Sequence, residues 1–293
     1  MFLYGVINAS PDSLNADSIA TDVPSALARA EHLLANGCHG FDLGAQGSTD
    51  IASVVAPAAE WSRAQDIVPA LASLGRPLSI DTWKPAVARR ALAAGATVLN
   101  AADGLQADGM MEVAADFGCP VVLPFLNGPD PRALRHVDGD PLTAMVEWFD
   151  HMLRLADKFG IRANMILDPG TGFAPLGWEW ASRYHFQKHV YSGLDRLRVF
   201  DLPLYIALPW KVTDQHMELL EIVIGQQVEY GRTHYPETVL ATADRLGYQR
   251  HSPSVASTTA APARTTVPLA HVRGQPYDSS VKAISNTPKE SDD

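Results

Sequence analysis

Apolar positions recur along the chain in one repeated order: a stretch at helical spacing, a glycine, then a short continuous apolar run. Val23, Leu27, Ala30 and Leu34 make one helical stripe, with Thr21 or Asp22 as its cap and Pro24 in the first turn. Gly37 precedes CHGFDLG, Gly75 precedes RPLSID, Gly95 precedes ATVLN, Gly118 precedes CPVVLP and Gly160 precedes IRANMILD. Each glycine can end its helix in the left-handed conformation. Further strands are predicted at 3–7, 203–208 and 228–233, which makes eight. They alternate with helices near 22–36, 56–74, 84–94, 106–117, 140–159, 180–199, 214–227 and 236–246. Alternation at this count predicts an α/β chain closed into a (β/α)8 TIM barrel. No Gly-rich phosphate fingerprint follows the first strand, as an open dinucleotide-binding sheet would require.

With 293 residues, 46% hydrophobic and 19% charged, the chain can bury one large core. A net charge of −10 argues against nucleic acid or an anionic membrane as partner, while a few local basic groups would suffice for an anionic small molecule. The opening MFLYGVINAS has no basic leader region, and its apolar run is too short for a signal peptide or a membrane span, so a cytoplasmic location is expected. Cys38 and Cys119 each follow a glycine at the start of a predicted strand and are read as ordinary buried thiols, away from the chemistry. After Gly247 the sequence turns rich in Ser, Thr, Pro and Ala and lacks Phe, Trp and Met. The expected division is therefore a barrel over 1–250 and a disordered tail over 251–293, with a partner-binding extension as the alternative reading of the tail.

Barrels carry function at the carboxyl ends of their strands. The residues predicted there are Asn8, Asp42, Asp81, Asn100, Asp168, Lys211 and, just past the last strand, His234; the fifth strand ends near Phe125 without a polar group. Helix capping explains a single Asp or Asn, but not Lys211 or the Arg232 and His234 pair. Three carboxylates and two carboxamides on one rim suit a flat heterocycle with many donors and acceptors, guanine-like or pterin-like. Lys211, Arg232 and His234 supply cationic donors for an anion, and Asn8 is a candidate oxygen ligand for Mg²⁺.

These motifs resemble those of dihydropteroate synthase and its pterin-binding relatives. NASPDSL from Asn8 resembles the family's Asn-x-Thr-Pro-Asp-Ser-Phe loop, and FDLGAQGST resembles Asp-x-Gly-Gly-Glu-Ser-Thr. SIDTWKPAVARRALAAGATVLN from Ser79 is similar to the family's Ser-x-Asp-Thr strand, its helix and the strand ending in Asn. ILDPGTGF resembles the turn after the sixth strand, and RTHYPET from Arg232 the final Arg-x-His segment. The resemblance implies a reaction in which 4-aminobenzoate displaces pyrophosphate from a hydroxymethyl-dihydropterin diphosphate. It places the pterin on Asp81, Asn100 and Asp168, with Lys211 at its polar edge, and Asp42, Thr49 and Phe173 on the substrate side. Asn8 would help bind Mg²⁺, Arg232 and His234 would face the leaving pyrophosphate, and the opening loop would be a mobile lid; a homodimer is also implied.

The chain departs from the family pattern in several places. Asp50 and an extra Gly47 stand where the family has Arg soon after its Ser-Thr. Pro209, Trp210, Lys211 and Val212 replace Ser-Arg-Lys-Ser, Ala174 and Pro175 replace Gly-Lys, and Phe125 replaces a His. The pterin side is kept and the aminobenzoate side is changed. Two other readings stay open at this point: a non-catalytic paralogue that binds a pterin or a partner enzyme, and a methyltetrahydrofolate-dependent methyltransferase.

Overall fold

A computed structural model of the chain describes residues 1–13, 15–47 and 54–248. Its eight strands are β1 (Phe2–Asn8), β2 (Gly40–Gly44), β3 (Leu78–Thr82), β4 (Val98–Ala101), β5 (Val121–Pro124), β6 (Met165–Asp168), β7 (Tyr205–Ala207) and β8 (Tyr230–Thr233). They form one parallel sheet in the order β6-β5-β4-β3-β2-β1-β8-β7. A parallel bridge between Leu167 and Leu204 joins β6 to β7 and closes the barrel. The predicted (β/α)8 architecture is the observed one.

The helices follow the strands as expected: α1 (Val23–Ala35), α2 (Pro57–Ala64), α3 (Ile67–Ala72), α4 (Pro85–Ala93), α5 (Met110–Phe117), α6 (Pro141–Lys158), α7 (Trp180–Ser192), α8 (Asp214–Gly225) and α9 (Pro236–Arg245). Asp22, not Thr21, caps α1, accepting the Ser25 N–H at 2.8 Å while the Ser25 hydroxyl returns to the cap in a capping box. The stripe of α1 is rotated from the expected one: Ala26, Ala30 and Leu33 are buried, whereas Val23, Leu27 and Leu34 sit half-buried at its edges. The reason is the close approach of α1 to β1. A Cβ at Gly5 would stand 2.6 Å from the Leu33 side chain, so the strand lacks a side chain where the helix packs.

Two predicted helices are interrupted. The expected helix over 56–74 is two, α2 and α3, because Pro69 has no N–H for the Gln65 carbonyl and its ring crowds that carbonyl. The expected helix over 180–199 leaves α geometry at Gly193 and continues as a 3-10 segment, Leu194–Phe200. The last two strands are shorter than predicted at both β7 and β8.

Alternation along the strands fills the barrel in layers. Phe2, Tyr4, Val98, Val122, Ile166 and Tyr205 form an apolar plug in the lower interior. Two residues further along β2, β4, β6 and β8 the inward positions become Asp42, Asn100, Asp168 and Arg232. Cys38 and Cys119 are free and buried just before β2 and β5, and burial pushes their thiols up to about 12 and about 11. The tail beyond residue 248 and the stretch 48–53, which includes Thr49 and Asp50, lie outside the described residues.

Candidate active site

The strand register sets the polar rim. Asp81 is paired across the sheet with Gly44 on one side and Asn100 on the other, and Pro124 with Asp168. Asp42 is 1% exposed, Asp168 and Asn100 are each 6% exposed, and all look into the barrel mouth. The Arg232 guanidinium sits between two of these acids, its Nη1 donating to Asp42 at 3.0 Å and to Asp81 at 2.6 Å. Asn100 Nδ2 approaches both oxygens of Asp42 at 3.4 Å. Arg232 is thus wired into the acidic rim, not held apart for an anion as the sequence suggested.

Burial dominates the electrostatics. It raises the Asp168 carboxyl to about 7, although the Gly170 N–H at 2.8 Å and Arg232 pull it back. Burial also raises Asp81, opposed by the Arg232 charge. His234 is displaced the other way, to about 3, by burial and then by Arg232 and Arg29. Its Nδ1 is buried without a partner. His234 is therefore a neutral imidazole in the ligand-free protein, where the sequence suggested a cationic donor. Arg29 fixes the chain beside it, donating from Nη2 to the His234 carbonyl.

Asn8 closes β1. Its Nδ2 donates to the hydroxyls of Ser13 at 2.9 Å and Ser18 at 2.8 Å, which orients the carboxamide and leaves Oδ1 a bare acceptor among the described residues. That oxygen lies above Gly44, where a Cβ would come within 3.4 Å of it and 3.9 Å of Asp81. The polar residues of the opening loop serve this arrangement: Asn15 caps the turn Ala16–Ser18, and the Tyr235 hydroxyl donates to Asp17 at 2.7 Å.

Beside the rim opens a cavity of about 400 Å³ lined from the β6, β7 and β8 ends. Phe173, Trp178, Trp180 and Trp210 form its aromatic walls, and Lys211, Arg232 and His234 reach it. Lys211 is exposed, with its Nζ 5.4 Å from the centre of the Trp210 ring, and Trp210 meets His234 edge-on at 5.8 Å. Asp81, Asn100 and Asp168 do not line this cavity, so the rim and the cavity are adjoining spaces that share Arg232.

Three features were not anticipated from the sequence. Lys84 is buried and holds Glu60 at 2.6 Å and the Val55 carbonyl at 2.7 Å, with Gln46 also accepting from it; Thr82 donates to Glu60 at 2.7 Å. Trp180 stacks on His216 with ring centres 4.0 Å apart. Arg183 on α7 lines the cavity, one turn before Gln187 and two before Tyr191. The i, i+4, i+8 spacing of those three residues was a signal for a shared face. Nothing in the sequence pairs Lys84 with Glu60.

Among known proteins, the sequence profile of pterin binding enzymes matches residues 4–211, so β8 with Arg232 and His234 lies past the matched segment. A dihydropteroate synthase of Synechocystis is 33% identical over 178 residues, 59% of this chain and 61% of that protein. The match to this relative thus spans less than two thirds of its length. The dihydropteroate synthase of Yersinia pestis, solved in a sulfonamide drug complex, superposes with a TM-score of 0.73 at 27% identity, covering 84% of this chain and 93% of that one. The Thermus thermophilus enzyme in complex with 4-aminobenzoate gives 0.69 at 26% identity, over 85% of this chain and 94% of the other.

Proposed function

The chain belongs to the family of pterin-binding enzymes, and from that premise we propose that it is a dihydropteroate synthase-type transferase of folate biosynthesis. The amine nitrogen of 4-aminobenzoate, or of a related aromatic amine, forms a bond to the methylene carbon of a 6-hydroxymethyl-7,8-dihydropterin diphosphate. The carbon–oxygen bond breaks, its electron pair leaves with pyrophosphate, and the amine releases one proton. The observation that carries this reading is the adjacency, through Arg232, of a buried rim of acids and amides with a cation-bearing aromatic cavity. One half suits a flat heterocycle rich in donors, the other an anionic partner and an aryl ring.

In this reading Asp81, Asn100 and Asp168 hold the pterin, and Asp42 keeps Arg232 and Asn100 in place from beneath. Phe173 and Lys211 border both ring substrates. Ionised Asp168 accepts from the ring amino and N–H groups, which stabilises positive charge as the leaving group departs. Arg232 and His234 stand toward the diphosphate. His234, neutral before binding, donates one hydrogen bond; the diphosphate must draw Arg232 partly from its two acids.

Mg²⁺ fits the residues present in one limited way. Among the described residues no group of three or more His, Cys, Asp or Glu could hold an ion, but Asn8 Oδ1 is a bare, oriented oxygen. A single protein oxygen suits a hard cation that takes its remaining ligands from water and phosphate oxygens. Bound there, Mg²⁺ would neutralise charge on the departing diphosphate.

The full chain incubated with the pterin diphosphate, 4-aminobenzoate and Mg²⁺ is expected to release pyrophosphate and form a product of dihydropteroate mass. A second reading, a pterin binder without turnover, is favoured by one observation: Arg232 is already neutralised by Asp42 and Asp81. It predicts equal affinity for the diphosphate and the free hydroxymethylpterin, with or without Mg²⁺, and no pyrophosphate.

A further inference from the structure

Of the residues that α7 turns toward the cavity, Gln187 and Tyr191 are held by the β6–α7 turn and Trp180 donates to Gln215, whereas Arg183 is satisfied only in part. Gln187 donates to the Thr171 carbonyl at 2.8 Å, and the Tyr191 hydroxyl pairs with the Thr171 hydroxyl at 2.9 Å. Arg183 uses one nitrogen, Nη2, on the Gly172 carbonyl at 2.9 Å. Its Nε is buried with no partner, and it forms no ion pair among the described residues. Burial accordingly lowers the Arg183 pKa, the direction of a cation without a counter-charge. A half-buried guanidinium without a counter-charge, its Nε shut away from water, is costly unless a ligand completes it.

The cavity supplies the rest of the description. Among the described residues no carboxylate lines it, in a chain whose net charge is −10, whereas Arg132, Arg183, Lys211 and Arg232 all do. The cavity that Arg183 lines is also bordered by flat side chains: Phe173, Trp178 and Trp210, and Trp180, whose ring is held parallel to His216 within 2°. A diphosphate gains little from aromatic walls, but an aryl ring carrying an anionic group fits both features.

We propose that Arg183 is the carboxylate anchor of the aromatic amine, holding the acid at the α7 side of the cavity while its ring lies among Phe173, Trp178, Trp180 and Trp210. The inference rests on the transferase reading for the identity of that amine. It gives the chain a substitute for the loop arginines missing from its pattern, where Trp210 and Asp50 stand. Arginine suits the task because its planar fork meets a carboxylate with two parallel hydrogen bonds. Arg183 is a binding residue on α7, separate from the strand-end residues assigned to the pterin.

The test is equilibrium binding to the full chain saturated with 6-hydroxymethylpterin and pyrophosphate, comparing 4-aminobenzoate with the neutral 4-aminobenzamide. Wild-type protein is expected to favour the acid at least tenfold. Arg183→Gln should weaken the acid about tenfold to a hundredfold, as expected for a lost charge-assisted contact, and leave the amide within about twofold. If Arg183→Gln shows no cooperative unfolding transition, Arg183→Lys is read in its place, with the acid weakened and the amide unchanged. Equal binding of acid and amide by wild-type protein, an acid affinity unchanged in the variant, or equal weakening of both ligands overturns the proposal. Because no turnover is involved, failure to release pyrophosphate would remove the transferase reading and leave the acid-over-amide preference to be judged by itself.

Discussion

Replacing Asp168 by asparagine should make the ligand-free protein more stable while damaging its pterin site, and the size of the gain should depend on pH. Asp168 is 6% exposed, and burial lifts its carboxyl from 3.8 to about 7. A carboxyl raised in the folded state binds more protons there than in the unfolded chain, so stability falls as pH rises from the unfolded value toward the folded one. Three units correspond to about 4 kcal/mol at most, of which about 1.5 kcal/mol has been lost by pH 5 and the remainder by pH 8. Asparagine keeps the size and an oxygen for the Gly170 N–H, now at 2.8 Å, without the charge. Urea unfolding of both ligand-free proteins is expected to show Asp168→Asn gaining about 2 to 3 kcal/mol more at pH 8 than at pH 5. Asp81 and Asp103, also raised by burial, are present in both proteins and largely cancel. The same carboxyl must ionise to receive the pterin, so calorimetry near pH 6 in buffers of different ionisation enthalpy should reveal proton release on binding. A stability difference identical at pH 5 and pH 8 would refute the account of Asp168 as a charge buried for the ligand's benefit.

Asn100→Ala should weaken pterin binding by roughly 1 to 3 kcal/mol, because it strands a ring donor or acceptor, and calorimetry that finds no change would move the ring elsewhere. His234, held down to about 3, is neutral from pH 5 to 8. In the ligand-free protein the His234 ring resonances should therefore show no titration in that range by NMR, while His234→Ala should remove much of the diphosphate's advantage over the free alcohol. Lys84→Met leaves Glu60, 1% exposed, as an uncompensated buried charge, and should cost about 3 to 5 kcal/mol in chemical unfolding; a loss under 1 kcal/mol would show that water reaches the pair. A chain ended at residue 250 should unfold as cooperatively as the full chain, as the composition of the tail suggests, with a broadened or shifted transition as the contrary result.

The chain's own order of residues determined the barrel. Helical stripes, apolar runs of strand length and a glycine at each joint are local signals, and Gly37, Gly75, Gly95, Gly118 and Gly160 all adopt the positive φ that their places required. The residues at the strand ends were legible for the same reason: a barrel puts function there, so Asp42, Asp81, Asn100 and Asp168 could be named from position. The interruptions near Pro69 and at Gly193 also had a local signal, a proline that removes a donor and a glycine that weakens a helix, although the helices expected over 56–74 and 180–199 ran through both.

Tertiary structure decided what those groups do to one another. Arg232 joins Asp42 and Asp81 from 190 and 151 residues away, a meeting no local pattern encodes. The same is true of Lys84 with Glu60 across 24 residues, and of the cavity that brings Arg183 on α7 into the company of Trp210 and Lys211. Charge states were equally out of reach. His234 and Asp168 have ordinary pKa values as isolated side chains, and only their burial makes one a neutral donor and the other a carboxyl poised near neutrality. Periodicity is a property of neighbours along the chain and survives without a fold, whereas desolvation and ion pairing depend on which distant segments exclude water together.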